Sequence, residues 1–174
     1  MIYQPFRAAV QASFITVLVL PLIGCGTANF PTPSPPGYTT VVFPNDNVQF
    51  DMPEKYVLFY EQDESISIRP SEDSGIVLQF SLNNLPEPIA EEFLVMQAKE
   101  KEIEVTRIGN KATISESGNL SEEGKNYEMT FWQIGFDDSL VVMSAKVDQA
   151  HKMDPDVIEC LDGVPTMIES MHKF

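Results

Sequence analysis

The sequence predicts an α+β fold, an antiparallel sheet with helices packed on its faces. Short runs rich in valine, isoleucine, phenylalanine and tyrosine, separated by turn residues, predict strands. Two segments with apolar residues at helical spacing follow, one after the first group of runs and one at the end of the chain. The order strands, helix, strands, helix is typical of α+β proteins rather than of alternating βαβ units.

The first group of strands is predicted between residues 40 and 82. Turn sequences such as Pro44-Asn45-Asp46 separate its members, and Ser65–Arg69 alternates polar and apolar residues as a half-buried strand does. The predicted strands are Thr40–Phe43, Asn47–Asp51, Tyr56–Tyr60, Ser65–Arg69 and Gly75–Leu82.

A first helix is predicted to begin at Pro86 and Pro88, because proline is tolerated in the first helical turn. Apolar residues that would share one helical face predict its buried side. These residues are Ile89, Phe93, Met96 and Ile103.

Three further strands are predicted as neighbouring hairpins, joined by the turns Ser121–Gly124 and Asp137-Asp138. The second of them is apolar or aromatic on both faces, which predicts a central strand that is covered on both sides. The three are Lys111–Asn119, Lys125–Phe136 and Ser139–Val147.

The last helix is predicted to start with Asp154 as its cap and Pro155 in its first turn. Gly163 and Pro165 lie within it, so a kink or a division into two helices is expected. Its apolar stripe is Val157, Leu161, Val164, Ile168 and Met171.

The N-terminal residues are typical of a secretory signal, with one charge, Arg7, before the uncharged segment Ala8–Gly24. The segment is near the lower limit for spanning a bilayer. Its end, Leu22-Ile23-Gly24-Cys25, resembles the lipobox of bacterial lipoproteins. An uncleaved signal anchor, with Cys25 as a boundary residue, is the alternative.

The lipobox resemblance implies cleavage between Gly24 and Cys25, lipidation of the Cys25 thiol, and acylation, as by palmitate, of the new amino terminus. We therefore expect a lipid anchor on the extracytoplasmic side of the cell envelope. Gly26 follows the cysteine where an aspartate would resemble an inner-membrane retention signal, so the outer membrane is favoured if the source has one.

Three regions are therefore predicted: a signal peptide at 1–24, a lipidated cysteine with a proline-rich linker at 25–37, and a single α+β domain at 38–174. The linker carries four prolines, and about 12 residues of this kind reach roughly 35 Å. We interpret it as a spacer that lifts the domain from the membrane. The prolines are Pro31, Pro33, Pro35 and Pro36.

The charge of the chain narrows the class of partner. The formal charge is −15, and removal of Arg7 with the signal makes it −16. Such a surface repels nucleic acid and favours a basic partner or simple solubility. Lipidation of Cys25 would leave Cys160 as the only free thiol, predicted to be buried and inert.

Motifs for catalysis, cofactors and metals are not found in the sequence, so no catalytic residue, cofactor or metal site is predicted. We interpret His151 and His172 as exposed surface histidines. Trp132, with Tyr127, Phe131 and Phe136, lines either a ligand groove or, the commoner case, the core. The acidic pairs are interpreted as solvated turns, with a weak calcium site as the alternative. They are Glu61–Glu64, Glu72-Asp73, Glu122-Glu123 and Asp137-Asp138.

The segment Asn47–Tyr56 resembles the Mog1/PsbP-like group, whose domains often begin with a strand of the form F-x-x-P-x-x-W. Here Phe50 and Pro53 match, and Tyr56 replaces the tryptophan. The resemblance covers residues 38–174 and implies binding roles, since PsbP-like members assist photosystem assembly and Mog1 binds a small GTPase. A GTPase partner does not fit an extracytoplasmic protein.

These observations lead to a functional expectation. We expect a membrane-tethered, non-enzymatic domain that binds another envelope or secreted protein in an assembly or immunity role, for instance neutralising a basic toxin. The alternative is a carrier of a small apolar ligand or lipid in a groove between sheet and helix. An enzyme is the third class.

Overall fold

A computed structural model describes residues 33–44, 46–85 and 90–174. Within these residues it contains two antiparallel sheets and two helices that pack on sheet faces, which confirms the predicted α+β class. The elements are β1 Tyr38–Val42, β2 Val48–Pro53, β3 Val57–Tyr60, β4 Ile66–Arg69, β5 Ile76–Asn84, α1 Ala90–Lys101, β6 Thr106–Ile108, β7 Lys111–Glu122, β8 Lys125–Phe136, β9 Ser139–Asp148, α2 Pro155–Ser170 and β10 His172–Lys173.

The strands form one small and one large sheet. The small sheet has the order β1-β2-β10, and the large sheet has the order β3-β4-β5-β9-β8-β7-β6. All neighbouring strands run antiparallel. All eight predicted strands are present, but the division into two sheets was not predicted. The short strands β6 and β10 were also missed.

The main core lies between the large sheet and a layer made of the small sheet and α2. Phe50 of β2 stacks on Phe80 of β5, with ring centroids 4.7 Å apart, and both side chains are fully buried. Met143 of β9 and Met167 of α2 belong to the same buried cluster. The two sheets therefore close on each other through large apolar side chains, which is the main source of stability in such a domain.

A second core lies on the other face of the large sheet, under α1. Successive strand residues point to opposite faces, so Leu140 faces α1 while Val141 faces the main core. Leu94 and Ala98 of α1 pack with Ile114 of β7 in this second cluster.

The predicted buried face of α1 is wrong. The residues of the helix that are buried are Ala90, Leu94 and Ala98, at a spacing of four, whereas Met96 is 62 % exposed. The helix is turned this way because it packs very close to the sheet over Gly135, where a Cβ atom would lie 2.9 Å from the carbonyl oxygen of Ala90. Small residues at the contact allow that approach. Of the other residues on the predicted face, Phe93 is half-buried, Ile103 lies beyond the helix end, and Ile89 lies outside the described residues.

Replacing Gly135 by alanine is expected to destabilise the domain by about 1–3 kcal/mol, because the added methyl group overpacks a tight contact with helix backbone. Gly118 is the matched control, since it lies in β7 of the same sheet and a Cβ there meets nothing within 4 Å. Urea denaturation of Gly135→Ala and Gly118→Ala measures the difference. Equal midpoints for the two variants would contradict the close α1–β8 contact.

The position of Pro155 in the first turn of α2 is confirmed. Of the predicted apolar stripe, Val157, Val164 and Ile168 are buried, Leu161 is half-buried, and Met171 is buried just beyond the helix end. Asp154 is the residue at the N-cap position, but its side chain makes no capping hydrogen bond and its carboxylate contacts His151 instead. The chain continues as one helix through Pro165, so the two-helix alternative is wrong.

The expected double coverage of β8 is correct only near its end. Ile134 and Gly135 are buried, but Phe131 is 45 % exposed and the first residues of the strand are open. The strand is interior to the sheet, between β7 and β9. However, α1 covers only one end of its face, so the aromatic residues beyond that end remain at the surface.

Candidate functional site

The tether that the sequence predicts joins the domain through Ser34. The Ser34 hydroxyl donates to Oδ1 of Asp51 at 2.6 Å and lies 2.6 Å from Oγ1 of Thr40. The Asp51 backbone nitrogen in turn donates to Oγ of Ser170, at the end of α2. Thr40 and Asp51 are register partners in β1 and β2, so these bonds place Ser34 beside the middle of β1. The predicted cleavage and lipidation residues, Gly24 and Cys25, lie outside the described residues.

No helix in the described ranges combines the length and the apolar character needed to cross a bilayer.

An open cavity of about 860 Å³ lies at the C-terminal end of β1, where Val42 is part of its lining. The β1–β2 turn forms one wall and the β3–β4 turn forms the other, so the cavity lies between the small sheet and the large sheet. We call it the acidic cavity. Its apolar lining includes Val42, Phe43 and Tyr60, and its carboxylates are Asp46, Glu61 and Glu64.

The charged residues that are described in the lining of the acidic cavity are all negative. They include neither lysine nor arginine, and an adjoining smaller cavity of about 150 Å³ adds Asp63. Hydrogen bonds from the Ser65 hydroxyl and backbone nitrogen lower the pKa of Asp63 below its usual range. Its carboxylate therefore stays ionised to more acidic pH than an ordinary aspartate. The site is complementary to a cationic group.

The two walls are held by specific contacts. The Tyr60 hydroxyl donates to the carbonyl oxygen of Val42 at 3.3 Å, which links β3 to β1. Asp46 accepts the side-chain amide of Asn84 at 2.6 Å, which ties the β1–β2 turn to the end of β5. Glu64 has φ of 66°, a left-handed conformation that is uncommon for a residue with a side chain. These contacts hold the two walls in place, and Tyr60 is 55 % exposed at the cavity.

The aromatic residues considered for a ligand groove do not come together. Trp132 and Phe136 pack against the main core, while Tyr127 and Phe131 point to the other face of the sheet. The core interpretation therefore fits Trp132 and Phe136. Phe131 is exposed, so it lies neither in the core nor in a ligand groove with the other three residues.

The two histidines lie far apart in the fold. His151 is exposed as expected, and its Nδ1 lies 2.8 Å from Oδ2 of Asp154. His172 is half-buried, contrary to the expectation, because it sits in β10 and its Nδ1 donates to the carbonyl oxygen of Ser170 at 2.7 Å. Ser74 lines the same cavity of about 280 Å³ as His151, but its hydroxyl donates to Asp156 at 2.8 Å. Among the described residues, no serine hydroxyl is hydrogen-bonded to either imidazole ring, as nucleophilic catalysis by a serine would require.

The acidic pairs predicted as solvated turns lie in different surroundings. Glu122 and Asp138 form ion pairs with Lys146 and Lys173. The segment Glu61–Glu64 contributes to the acidic cavity, which its interpretation as a solvated turn had missed. Within the described part of the chain, no three histidine, cysteine or acidic residues are grouped so that they would hold a metal ion.

Cys160 is fully buried on α2, as predicted, beside Tyr56. Burial raises the pKa of the Cys160 thiol to about 12, and a hydrogen bond with the Tyr56 side chain only partly offsets that effect. Burial also raises the pKa of Tyr56. A thiol with so little thiolate at neutral pH is a poor nucleophile and a poor metal ligand.

No linear signal in the sequence would have located the acidic cavity. Its walls come from two turns that are 13 or more residues apart along the chain, namely Phe43–Asn47 and Tyr60–Glu64. Each was correctly interpreted as a turn with charged residues. Only the closing of the two sheets brings the turns together around an apolar floor.

No family model and no curated protein matches this chain. Among solved structures, a crystal structure from Bacteroides thetaiotaomicron is similar to it with a TM-score of 0.61 and 13 % sequence identity. The similarity covers 74 % of this chain and 45 % of that chain, so this chain spans less than half of the length of that protein. At this identity the similarity shows the fold alone.

Two further structures are similar at lower scores. A solution structure of cyanobacterial PsbP from Synechocystis has a TM-score of 0.36 at 12 % identity, over 88 % of this chain and 99 % of that chain. LpqN, involved in cell envelope biogenesis of Mycobacterium tuberculosis, has a TM-score of 0.48 at 13 % identity, over 77 % and 88 %. PsbP is thus among the proteins this chain is similar to, but both scores are too low to carry a further argument.

Proposed function

We propose that this chain is a membrane-tethered extracytoplasmic domain, without catalytic activity, that binds a basic protein at the acidic cavity. The observation that carries the proposal is the composition of that cavity. Its carboxylates surround an apolar floor and an exposed tyrosine, and the part of the lining that the structure describes contains no cation. In such a site, apolar contacts contribute affinity. The negative charge selects basic partners and raises the rate of association.

A binding role is also favoured over catalysis by the reactive side chains. Cys160 is buried, and the Nδ1 atoms of His151 and His172 are each held by a local acceptor. None of the three faces the acidic cavity. The site can attract and orient a partner, but it offers no nucleophile or base held for a reaction.

Protein binding is favoured over carriage of an apolar ligand between sheet and helix. Cys160, Met167 and Ile168 of α2 belong to one continuous buried cluster with residues of both sheets. The acidic cavity lies outside this cluster and is open to solvent. Two versions of the role fit the tether and the charge: assembly of an envelope complex, and neutralisation of a basic secreted toxin.

Charge reversal at the rim tests the proposal. Glu61 and Glu72 are both exposed and lie beyond opposite ends of β4, but only Glu61 lines the acidic cavity. We expect Glu61→Lys to weaken capture of a basic protein from envelope extracts on the order of tenfold, because it places a cation in the site. Glu72→Lys has the same net charge and should capture that protein as well as the wild type does.

Quantitative mass spectrometry of the captured proteins gives the comparison. A basic protein that is depleted with Glu61→Lys but retained with Glu72→Lys supports the proposal. If the captured proteins change equally for both variants, the loss of capture follows from the net charge of the chain alone. That result would refute a role for the cavity.

A further inference from the structure

The outer edge of β7 is open over two thirds of its length. The strand β6 pairs only with Lys111–Thr113, and no described strand pairs with the edge beyond that point. All residues from Ser115 to Glu122 are exposed. We call these eight residues the β7 edge, and as extended strand they span about 27 Å.

The turn that follows determines which backbone groups point outward. Glu123 and Gly124 both have positive φ, 50° and 81°, in a two-residue hairpin loop of the I′ type. In such a hairpin, the flanking pair Glu122–Lys125 exchanges both backbone hydrogen bonds, and every second pair repeats this. The even-numbered residues of β7 therefore bond to β8. The outward groups belong to Ser115, Ser117, Asn119 and Ser121.

A contact nearer the start of β7 agrees with this assignment. The carbonyl oxygen of Thr113, an odd-numbered residue, faces away from β8 and accepts the Thr106 hydroxyl at 3.2 Å. Beyond Thr113 the same row of backbone donors and acceptors continues along the β7 edge.

The β7 edge carries two glutamates but lacks the other usual devices that protect edge strands. Its sequence, SESGNLSE, contains no proline and no lysine, and its register with β8 is continuous, without a bulge. Its exposed small side chains leave room for another chain to approach.

The side chains beside the edge indicate which chain would fit. Glu116, Gly118, Leu120 and Glu122 lie on one face of the sheet, the face that also carries Phe131. Leu120 is 41 % exposed and Phe131 is 45 % exposed, so the middle of this face is apolar, and a glutamate paired with a lysine lies at each end. The carboxylates of Glu116 and Glu122 contact Lys101 and Lys146, and an added cation would share them.

We propose that the β7 edge binds an extended segment of a partner protein by strand addition, with basic side chains next to Glu116 and Glu122 and apolar side chains next to Gly118 and Leu120. Backbone hydrogen bonds to the four outward residues would give affinity, and the alternating side chains would give specificity. This site is separate from the acidic cavity and does not depend on it.

A second copy of this chain fits the edge less well. Each chain has a formal charge of −15, so two copies repel one another. In the antiparallel register centred on Asn119, Glu116 of one copy would lie directly opposite Glu122 of the other, and like charges at that position are destabilising.

The test uses the full chain with its anchor, in detergent micelles, and a fluorescent, capped peptide of sequence KTVSVTK. Aligned antiparallel to the edge, its lysines lie opposite Glu116 and Glu122 and its valines opposite Gly118 and Leu120. A second peptide carries N-methyl groups at the threonines and the serine, which removes the donors facing β7 but keeps every side chain. We expect at least tenfold weaker binding of the methylated peptide by fluorescence anisotropy.

Two variants of one residue isolate the backbone of β7. Ser117→Pro and Ser117→Ala both lose the contact of the Ser117 hydroxyl with Thr130, but only proline removes the outward N–H. We expect Ser117→Pro to bind the peptide at least tenfold more weakly than Ser117→Ala, with circular dichroism showing that both are folded. Glu61→Lys, in the acidic cavity, should bind it like the wild type.

Hydrogen exchange measured by NMR gives a readout that charge attraction alone would not change. The amides of Ser117, Asn119 and Ser121, which lie opposite the threonines and the serine of the peptide, should exchange at least tenfold more slowly when the peptide is added. Equal binding of the methylated peptide, equal binding by the two Ser117 variants, or no protection of these amides would overturn the proposal. Protection without peptide that increases with protein concentration would assign the edge to a second copy instead.

Discussion

A Cys25→Ala chain is expected to lose all lipid labelling and to leave the membrane fraction. The thiol of Cys25 is the predicted site of the lipid, and each buried methylene of an acyl chain contributes about 0.8 kcal/mol to membrane binding. Two or more chains therefore hold a protein firmly, and their loss removes essentially the whole affinity. Metabolic labelling with a fatty-acid analogue and fractionation of membranes measure both effects.

Cys160→Ala is the matched control, because it removes the other cysteine and leaves the lipobox intact. It should label and fractionate as the wild type does. The mass of each protein adds an independent readout, since cleavage before Cys25 removes residues 1–24. A Cys25→Ala chain that still pellets with membranes would favour the uncleaved signal anchor.

The Cys160 thiol is expected to react with a thiol reagent at pH 8 at least a hundredfold more slowly in the folded protein than in guanidinium chloride. Its pKa of about 12, compared with about 8.5 for an ordinary cysteine, leaves far less thiolate at that pH. Ser121→Cys in a Cys160→Ala background is the exposed control and should react rapidly in both states. Fast modification of the folded wild type would show that the main core opens near α2.

The same pKa shift gives the folded protein a sensitivity to alkali. Because Cys160 holds its proton more tightly when folded, the unfolded chain loses that proton first as the pH rises. The stabilisation is fully present below about pH 8.5 and is lost progressively towards pH 12. The raised pKa of Tyr56 acts in the same direction at higher pH. Urea midpoints at pH 8 and pH 10 should decrease more for the wild type than for Cys160→Ala.

The sequence predicted the strands well because their apolar alternation is local. Ser65–Arg69 and the hairpins of β7, β8 and β9 were recognised from a few neighbouring residues, and the structure contains them. The strands β6 and β10 are three and two residues long, too short to show a period. They exist because tertiary packing brings them beside β7 and β2.

The orientation of α1 and the location of the acidic cavity required the tertiary structure. Apolar spacing predicted that Met96 would be buried, but the close approach of Ala90 to Gly135 turned the helix and left Met96 exposed. A glycine in a strand permits such contact, yet nothing local says which helix uses it. For the cavity, the sequence predicted that each segment forms a turn, but it did not predict that the two turns lie next to each other.

The hydrogen bonds of Ser34 change the reach expected for the tether. A linker that ended at Gly37 would give about 35 Å, but the domain is already held at Ser34, which leaves eight residues, 26–33, after Cys25. At about 3.1 Å per residue, an extended spacer of that length would reach roughly 25 Å. For a chain anchored at Cys25, the volume open to the domain would scale with the cube of this reach and would be smaller by roughly threefold. With Cys25 as the anchor, a partner embedded in the same membrane would meet a correspondingly higher effective concentration of the binding surfaces.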